Sequence, residues 1–241
     1  MKKYLYILLL VLFTSCHQPV NTVDLQQVDF EQVLDSDTIK LNIYNLYATN
    51  PEKNTITIIP AEEIKIEAKV NQALIDANFE IKYEEQELII KSDKQRFFSN
   101  FYVDLTIYAP IDQLKIKGAF EIVYNNPVGE KLSVDIEGAA NLQMENITQQ
   151  QVEVHLEGAG KFTLAGETDD FYGSIEGAGA IDAFGLLAKV GNLQIDGAGQ
   201  ISAHVSQQLQ ATINGLGSIQ YKGKPSLQQE INGLGTIQPI E

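Results

Sequence analysis

The sequence predicts an all-β protein, a single-stranded parallel β-helix (β-solenoid) with coils of 18 to 20 residues and irregular leading coils or a sheet at its amino end. Three observations predict it. A glycine-centred unit recurs seven times, from Ile116-Lys117-Gly118-Ala119 to Ile231-Asn232-Gly233-Leu234-Gly235. Its first glycines, Gly118, Gly138, Gly158, Gly177, Gly197, Gly215 and Gly233, lie 20, 20, 19, 20, 18 and 18 residues apart, too regular for chance and too short for a helix-pair repeat. Each unit has an aliphatic residue two before the glycine and an apolar one four after it: Ile122, Leu142, Phe162, Ile181, Ile201, Ile219 and Ile237. Upstream, Leu132, Val134 and Ile136 alternate with Ser133 and Asp135, the period of a half-buried strand.

Glycine between two inward positions suits a sharp bend, since a residue without Cβ takes positive φ at little cost. The glycine units are therefore corners, stacked coil upon coil, and one continuous core forms only by that stacking. A right-handed winding is expected. At the carboxyl end the pattern stops at Pro239, which blunts an open strand edge because proline cannot donate to a ladder.

The elements follow in order along the chain. Residues 1–15 have the layout of an export signal: Lys2 and Lys3, an apolar run from Tyr4 to Phe13, then Thr14-Ser15. That run is too short to span a bilayer as a permanent helix. Phe13-Thr14-Ser15-Cys16 resembles a bacterial lipoprotein signal, which makes Cys16 the lipidated first residue of the mature chain. It is the sole cysteine, so no intrachain disulfide forms. Residues 16–28 are polar with one proline and read as a tether. Residues 29–116 form an N-terminal β region, with strands expected at 55–59, 64–68, 80–83, 88–90 and 102–107 and a turn or one helical turn between Asn71 and Asn78. Residues 117–241 are the regular solenoid.

The net charge of −15 disfavours nucleic acid and anionic lipid, both of which need clustered lysine and arginine. The single arginine, Arg96, lies outside the repeats. No nucleophile elbow, phosphate loop or metalloprotease helix occurs.

The order of features resembles a known family. Val28-Asp29-Phe30-Glu31-Gln32-Val33 opens the domain, Tyr108-Ala109-Pro110 precedes Leu114-Lys115-Ile116-Lys117-Gly118, and Tyr221-Lys222-Gly223-Lys224-Pro225 leads into the last corner. Together with the repeated corners, these resemble the GIN head domain of putative auto-transporter adhesins, a family of Bacteroidetes lipoproteins without an assigned function. The likeness covers nearly the whole mature chain, although alanine or leucine stands in the corners where the family usually has serine. It implies a parallel β-helix-like fold and supplies no catalytic residues.

Two places offer chemistry. Stacked in register, Lys117, Glu137, Glu157, Glu176, Asp196, Asn214 and Asn232 form one column at about 4.8 Å spacing. Its four adjacent carboxylates, Glu137, Glu157, Glu176 and Asp196, are either splayed into water or bridged by a cation, for which calcium is the natural candidate. The second place is the loop carrying Glu167, Asp169 and Asp170. Paired carboxylates on a β-helix suggest polysaccharide cleavage, but the adjacent coils offer Asn146 and Lys189 at that phase rather than a partner acid. His155 and His204 face outward in different coils without a histidine or cysteine at ligand spacing. Without tryptophan a sugar-stacking platform is weakened; Tyr44, Tyr47, Tyr102, Tyr108, Tyr172 and Tyr221 could substitute for it in part, but are read chiefly as amphipathic packing at strand ends with the hydroxyl in water.

The expected function is that of an outer-membrane lipoprotein, on the periplasmic leaflet or the cell surface, which binds a glycan or an envelope protein without catalysis. No cofactor is needed. The alternatives are a carbohydrate-active enzyme using the Asp169 loop and a structural lipoprotein of the periplasm. The residues after Cys16 lack the acidic run resembling a surface-export signal, and either open end of the solenoid offers an edge for homo-oligomers.

Overall fold

The computed structural model describes residues 25–34, 36–46, 54–93 and 101–240. Cys16, most of the tether, Tyr47 and Arg96 lie outside them. Among the described residues, no helix is long and apolar enough to cross a membrane.

The strands run β1 (Leu25–Gln32), β2 (Ile39–Leu46), β3 (Asn54–Ile59) and β4 (Ile64–Asn71), then a one-turn helix α1 (Gln72–Ile75). They continue with β5 (Glu80–Glu84), β6 (Glu87–Lys91), β7 (Val103–Tyr108), β8 (Ile111–Tyr124) and β9 (Lys131–Ile147). Last come β10 (Gln151–Gly197), β11 (Gln200–Gly215), β12 (Ser218–Lys222), β13 (Ser226–Gly233) and β14 (Thr236–Pro239). From β8 onward all pairing is parallel, and the chain winds as stacked coils of a β-solenoid of about six turns. β10 alone is 47 residues long, passes through the corners at Gly158 and Gly177 without a break and ends at Gly197.

The glycine corners stack as their spacing predicts. Gly118, Gly138 and Gly158 are register partners, as are Gly197, Gly215 and Gly233. Gly177 joins the two sets, because it lies against Gly158 and Gly197 lies against it. At Gly158 φ is +129°, and a Cβ would fall well under 3.0 Å from the Gly138 carbonyl oxygen of the preceding coil. That oxygen belongs to the inter-coil ladder: in the equivalent corners the Ala198 N–H donates to Gly177 O and the Leu216 N–H to Gly197 O, both at 2.8 Å. The second glycine of the unit has a different task. A Cβ on Gly179 would collide with the Leu156 side chain, so this glycine makes room for the inward aliphatic of the coil below.

The core runs along the solenoid axis as two stripes. Ile116, Ile136, Leu156, Ile175, Ile195 and Ile213 are each 0% exposed, and Ile122, Leu142, Phe162, Ile181, Ile201 and Ile219 are all buried. Each contributes about 1.5–3 kcal/mol by leaving water.

The N-terminal region combines both expected forms. β2 and β3 build a coil that stacks in parallel on β8, and β6 and β7 build another that stacks on the outer side of β2 and β3. Chain order and stacking order therefore differ here. β4 pairs antiparallel with β7, β1 with β4 and β5 with β6, which caps this end with an antiparallel layer. All five strands expected in this region are present, and α1 starts at Asn71, whose side chain accepts from the Leu74 N–H. β1 begins at Leu25, inside the stretch read as tether, because Leu25 to Gln32 find register partners along β4.

Candidate functional site

On one side of the solenoid, turn segments from four successive coils are stacked. Asn146 to Gln150 joins β9 to β10; Gly166 to Asp169 and Leu187 to Lys189 lie within β10; Ser206 and Gln207 belong to β11. Together they line an open groove of about 650 Å³.

Its floor is fixed by hydrogen bonds. The buried Gln149 side chain donates to Pro127 O at 2.7 Å, and buried Thr168 donates to Gln150 O at 3.1 Å. The Asp169 and Asp170 N–H groups donate to the same Gln150 carbonyl at 3.1 and 2.9 Å. This pinning turns Glu167 and Asp169 toward solvent on either side of Thr168. Asp170 does not line the groove.

The Asp169 carboxylate meets the Lys189 ammonium of the next coil at 2.6 Å. Its hydrogen bond and charge hold the lysine's pKa above the ordinary value. Lys189 is thus the partner that the repeat phase places beside Asp169, and Asn146 lines the same groove from the coil below. Glycoside cleavage asks one carboxyl to stay protonated beside an ionised one. Asp169 is engaged by an ammonium at 2.6 Å and not by a second carboxyl. The groove offers amides, hydroxyls, one ion pair and the carboxylate of Glu167 around the exposed Leu187.

The carboxylate column stands in register as predicted, with Lys117, Glu137 and Glu157 aligned at one end and Asp196, Asn214 and Asn232 at the other. Its members are not equivalent. Lys117 forms an ion pair with Glu137. Asp196 accepts from Asn214 and from Gln194, both at 2.6 Å, and Asn214 accepts in turn from Asn232 at 3.0 Å. Glu157 and Glu176 converge instead with His155, the three ligand atoms lying within 4.8 Å of one another. The Nδ1 of His155 is 2.7 Å from Ser174 Oγ.

The sequence reading left this histidine out. The available signal was parity, since His155 and Glu157 face the same way two residues apart and Glu176 arrives from the next coil. An imidazole with two carboxylates is a donor set for zinc, not the all-oxygen set that calcium takes. In the absence of an ion, Glu157 and Glu176 are exposed like charges on adjacent strands. Glu176→Gln is therefore expected to stabilise the apoprotein by about 0.5 kcal/mol, the scale of a like-charge cross-strand pair. Urea denaturation in the presence of a chelator checks this.

Of the tyrosines within the described residues, Tyr172 is the exposed one, at 39%. It borders a smaller depression of about 200 Å³ shared with Asn192, Gln208, Gln210 and Gln228. Tyr221 is buried, and Lys65 and Lys91 lie over the rings of Tyr108 and Tyr44.

The sequence profile of the family described as "putative auto-transporter adhesin, head GIN domain" matches residues 52–225, from the first coil to the end of the groove-bearing coils. The chain belongs to this family. Two solved structures show how widely the GIN fold tolerates sequence change. A "putative adhesin" from Bacteroides fragilis is 22% identical, with a TM-score of 0.76 over 93% of this chain and 100% of the other. A "putative lipid binding protein" from Parabacteroides distasonis is 20% identical, with a TM-score of 0.65 over 90% of this chain and 97% of the other. No curated protein matches the chain in sequence.

Proposed function

We propose that this GIN domain is a non-catalytic binding module, displayed on the cell envelope by lipid on Cys16, which holds an uncharged glycan segment in the groove of stacked turns. One observation carries the reading: the groove's exposed aspartate is paired with Lys189 at 2.6 Å, within a lining of amides and hydroxyls whose one further charge is Glu167. Sugar hydroxyls need paired donors and acceptors at fixed positions rather than net charge. Asn146, Gln150, Ser206 and Gln207 supply them from the first and last of the four stacked coils, held at fixed spacing. The Asp169–Lys189 pair adds a charged acceptor and a charged donor.

The test is titration calorimetry against a panel of bacterial and host polysaccharides, together with an assay for released reducing ends. Wild-type protein is expected to bind without releasing them, and Lys189→Ala to weaken binding about tenfold or more, as when a buried or partly buried charge loses its partner at an interface. Reducing ends released by wild type and lost in Asp169→Asn would overturn the reading in favour of a hydrolase. Digestion by protease on intact cells, with a periplasmic protein surviving as control, is the expected result for display on the cell surface. Protection until the outer membrane is broken would move the module to the periplasmic leaflet and its partner to the envelope.

A further inference from the structure

The two ends of the solenoid are built differently. The amino end is capped by an antiparallel layer of β1, β4 and β5, whose outer strands β1 and β5 each bond to one neighbour. At the other end β13 bonds only to β11 and β14 only to β12, so each presents a free strand edge. Every residue of β13 is exposed. Leu227 and Ile231 continue the inward stripes of Leu209 and Ile213, yet they are 37% and 40% exposed where those are at most 1%.

The sequence changes at this end in a way the earlier coils do not. The middle residue of the corner is alanine in the five units from Gly118 to Gly197 and leucine in the last two. These leucines, Leu216 and Leu234, are 61% and 85% exposed, which no packing within the chain explains. Residues 200–240 also carry only Glu230 against Lys222 and Lys224, in a chain whose net charge is −15. Two copies repel one another over most of their surface and least over this end.

We infer that the C-terminal coil docks on the same coil of a second copy, β13 pairing antiparallel with its own symmetry mate about a two-fold axis. The same patch then serves both sides, as an isologous interface requires. The ladder that stacks coil on coil continues across the axis, and Leu227, Ile231 and the two corner leucines are covered. Antiparallel pairing brings the start of one β13 beside the end of the other, so Leu227 of each copy lies beside the end of its mate's β13, next to Ile231. β14 ends in Pro239, which has no N–H to donate, and this leaves β13 as the strand that pairs.

The test is the mass of the full chain in mild detergent, measured by light scattering with the detergent subtracted, over a series of concentrations. A dimer is expected. Leu234→Glu and Leu227→Glu should each weaken it about tenfold or more, because each puts an uncompensated charge into the covered apolar surface. Both substituted positions are exposed, and an unchanged circular-dichroism spectrum confirms that each variant is folded. A monomer at every concentration overturns the inference, as does a dimer indifferent to these changes; β13 would then be the edge for a different protein's strand.

Discussion

Replacing Gly158 with alanine is expected to cost about 3–5 kcal/mol of folding free energy, the sum of backbone strain at positive φ and overpacking against a neighbour that cannot yield. At +129° an L residue is strained whatever the space around it, and the new methyl meets the Gly138 carbonyl oxygen rather than the flexible tip of a side chain. Relief requires moving one coil away from the next, which stretches the ladder on both flanks of the corner. Gly129→Ala serves as the comparison. Its φ is +84°, but the nearest atom is Asp112 Cβ at 3.3 Å, so strain alone applies and about 1–2 kcal/mol is expected. Urea denaturation of both variants measures the difference. Equal losses would mean that the corner strand relaxes without disturbing the coil beneath it.

The same steric demand explains why so much of this fold is legible in the sequence. Where every coil must place a residue without Cβ against the carbonyl of the last, the repeat is written in glycine and its phase fixes the register of all that lies between. The Lys117-to-Asn232 column and the meeting of Asp169 with Lys189 both follow from a shift of one coil. Where the chain stacks out of sequence order, the same reasoning stops. Alternation shows that Leu41 and Ile43 of β2 point inward, but β2 lies between β6 and β8, and nothing in its residues names those neighbours. The antiparallel layer of β1 and β4 is hidden for the same reason.

The functional surface divides along similar lines. Asp169 and its lysine are legible because both lie within regular repeats one phase apart. The groove as a whole is not, because its walls come from the turn segments between strands, where Asn146, Glu167, Leu187 and Gln207 share no motif. His155 has no second histidine at ligand spacing, and its partners are carboxylates two residues along its own strand and one coil away.

Phe162→Ala is expected to cost about 3–5 kcal/mol, the range for emptying a fully buried aromatic site. Phe162 is 0% exposed, in the stripe that continues Ile122 and Leu142, and its coil is stacked on both sides. In a solenoid each coil touches only its neighbours, so a cavity in the middle weakens two interfaces at once. Ile231→Ala removes an aliphatic from the corner stripe at the open end, where the side chain is already 40% exposed and packs against one coil. Its cost in the monomer is expected to be about 1 kcal/mol, since little apolar area returns to water. If two copies associate through β13, Ile231 becomes an interior residue of the joined solenoid, and its substitution should cost more as protein concentration rises. The cost of Phe162→Ala should stay fixed over the same range, because that coil has both its neighbours in either state.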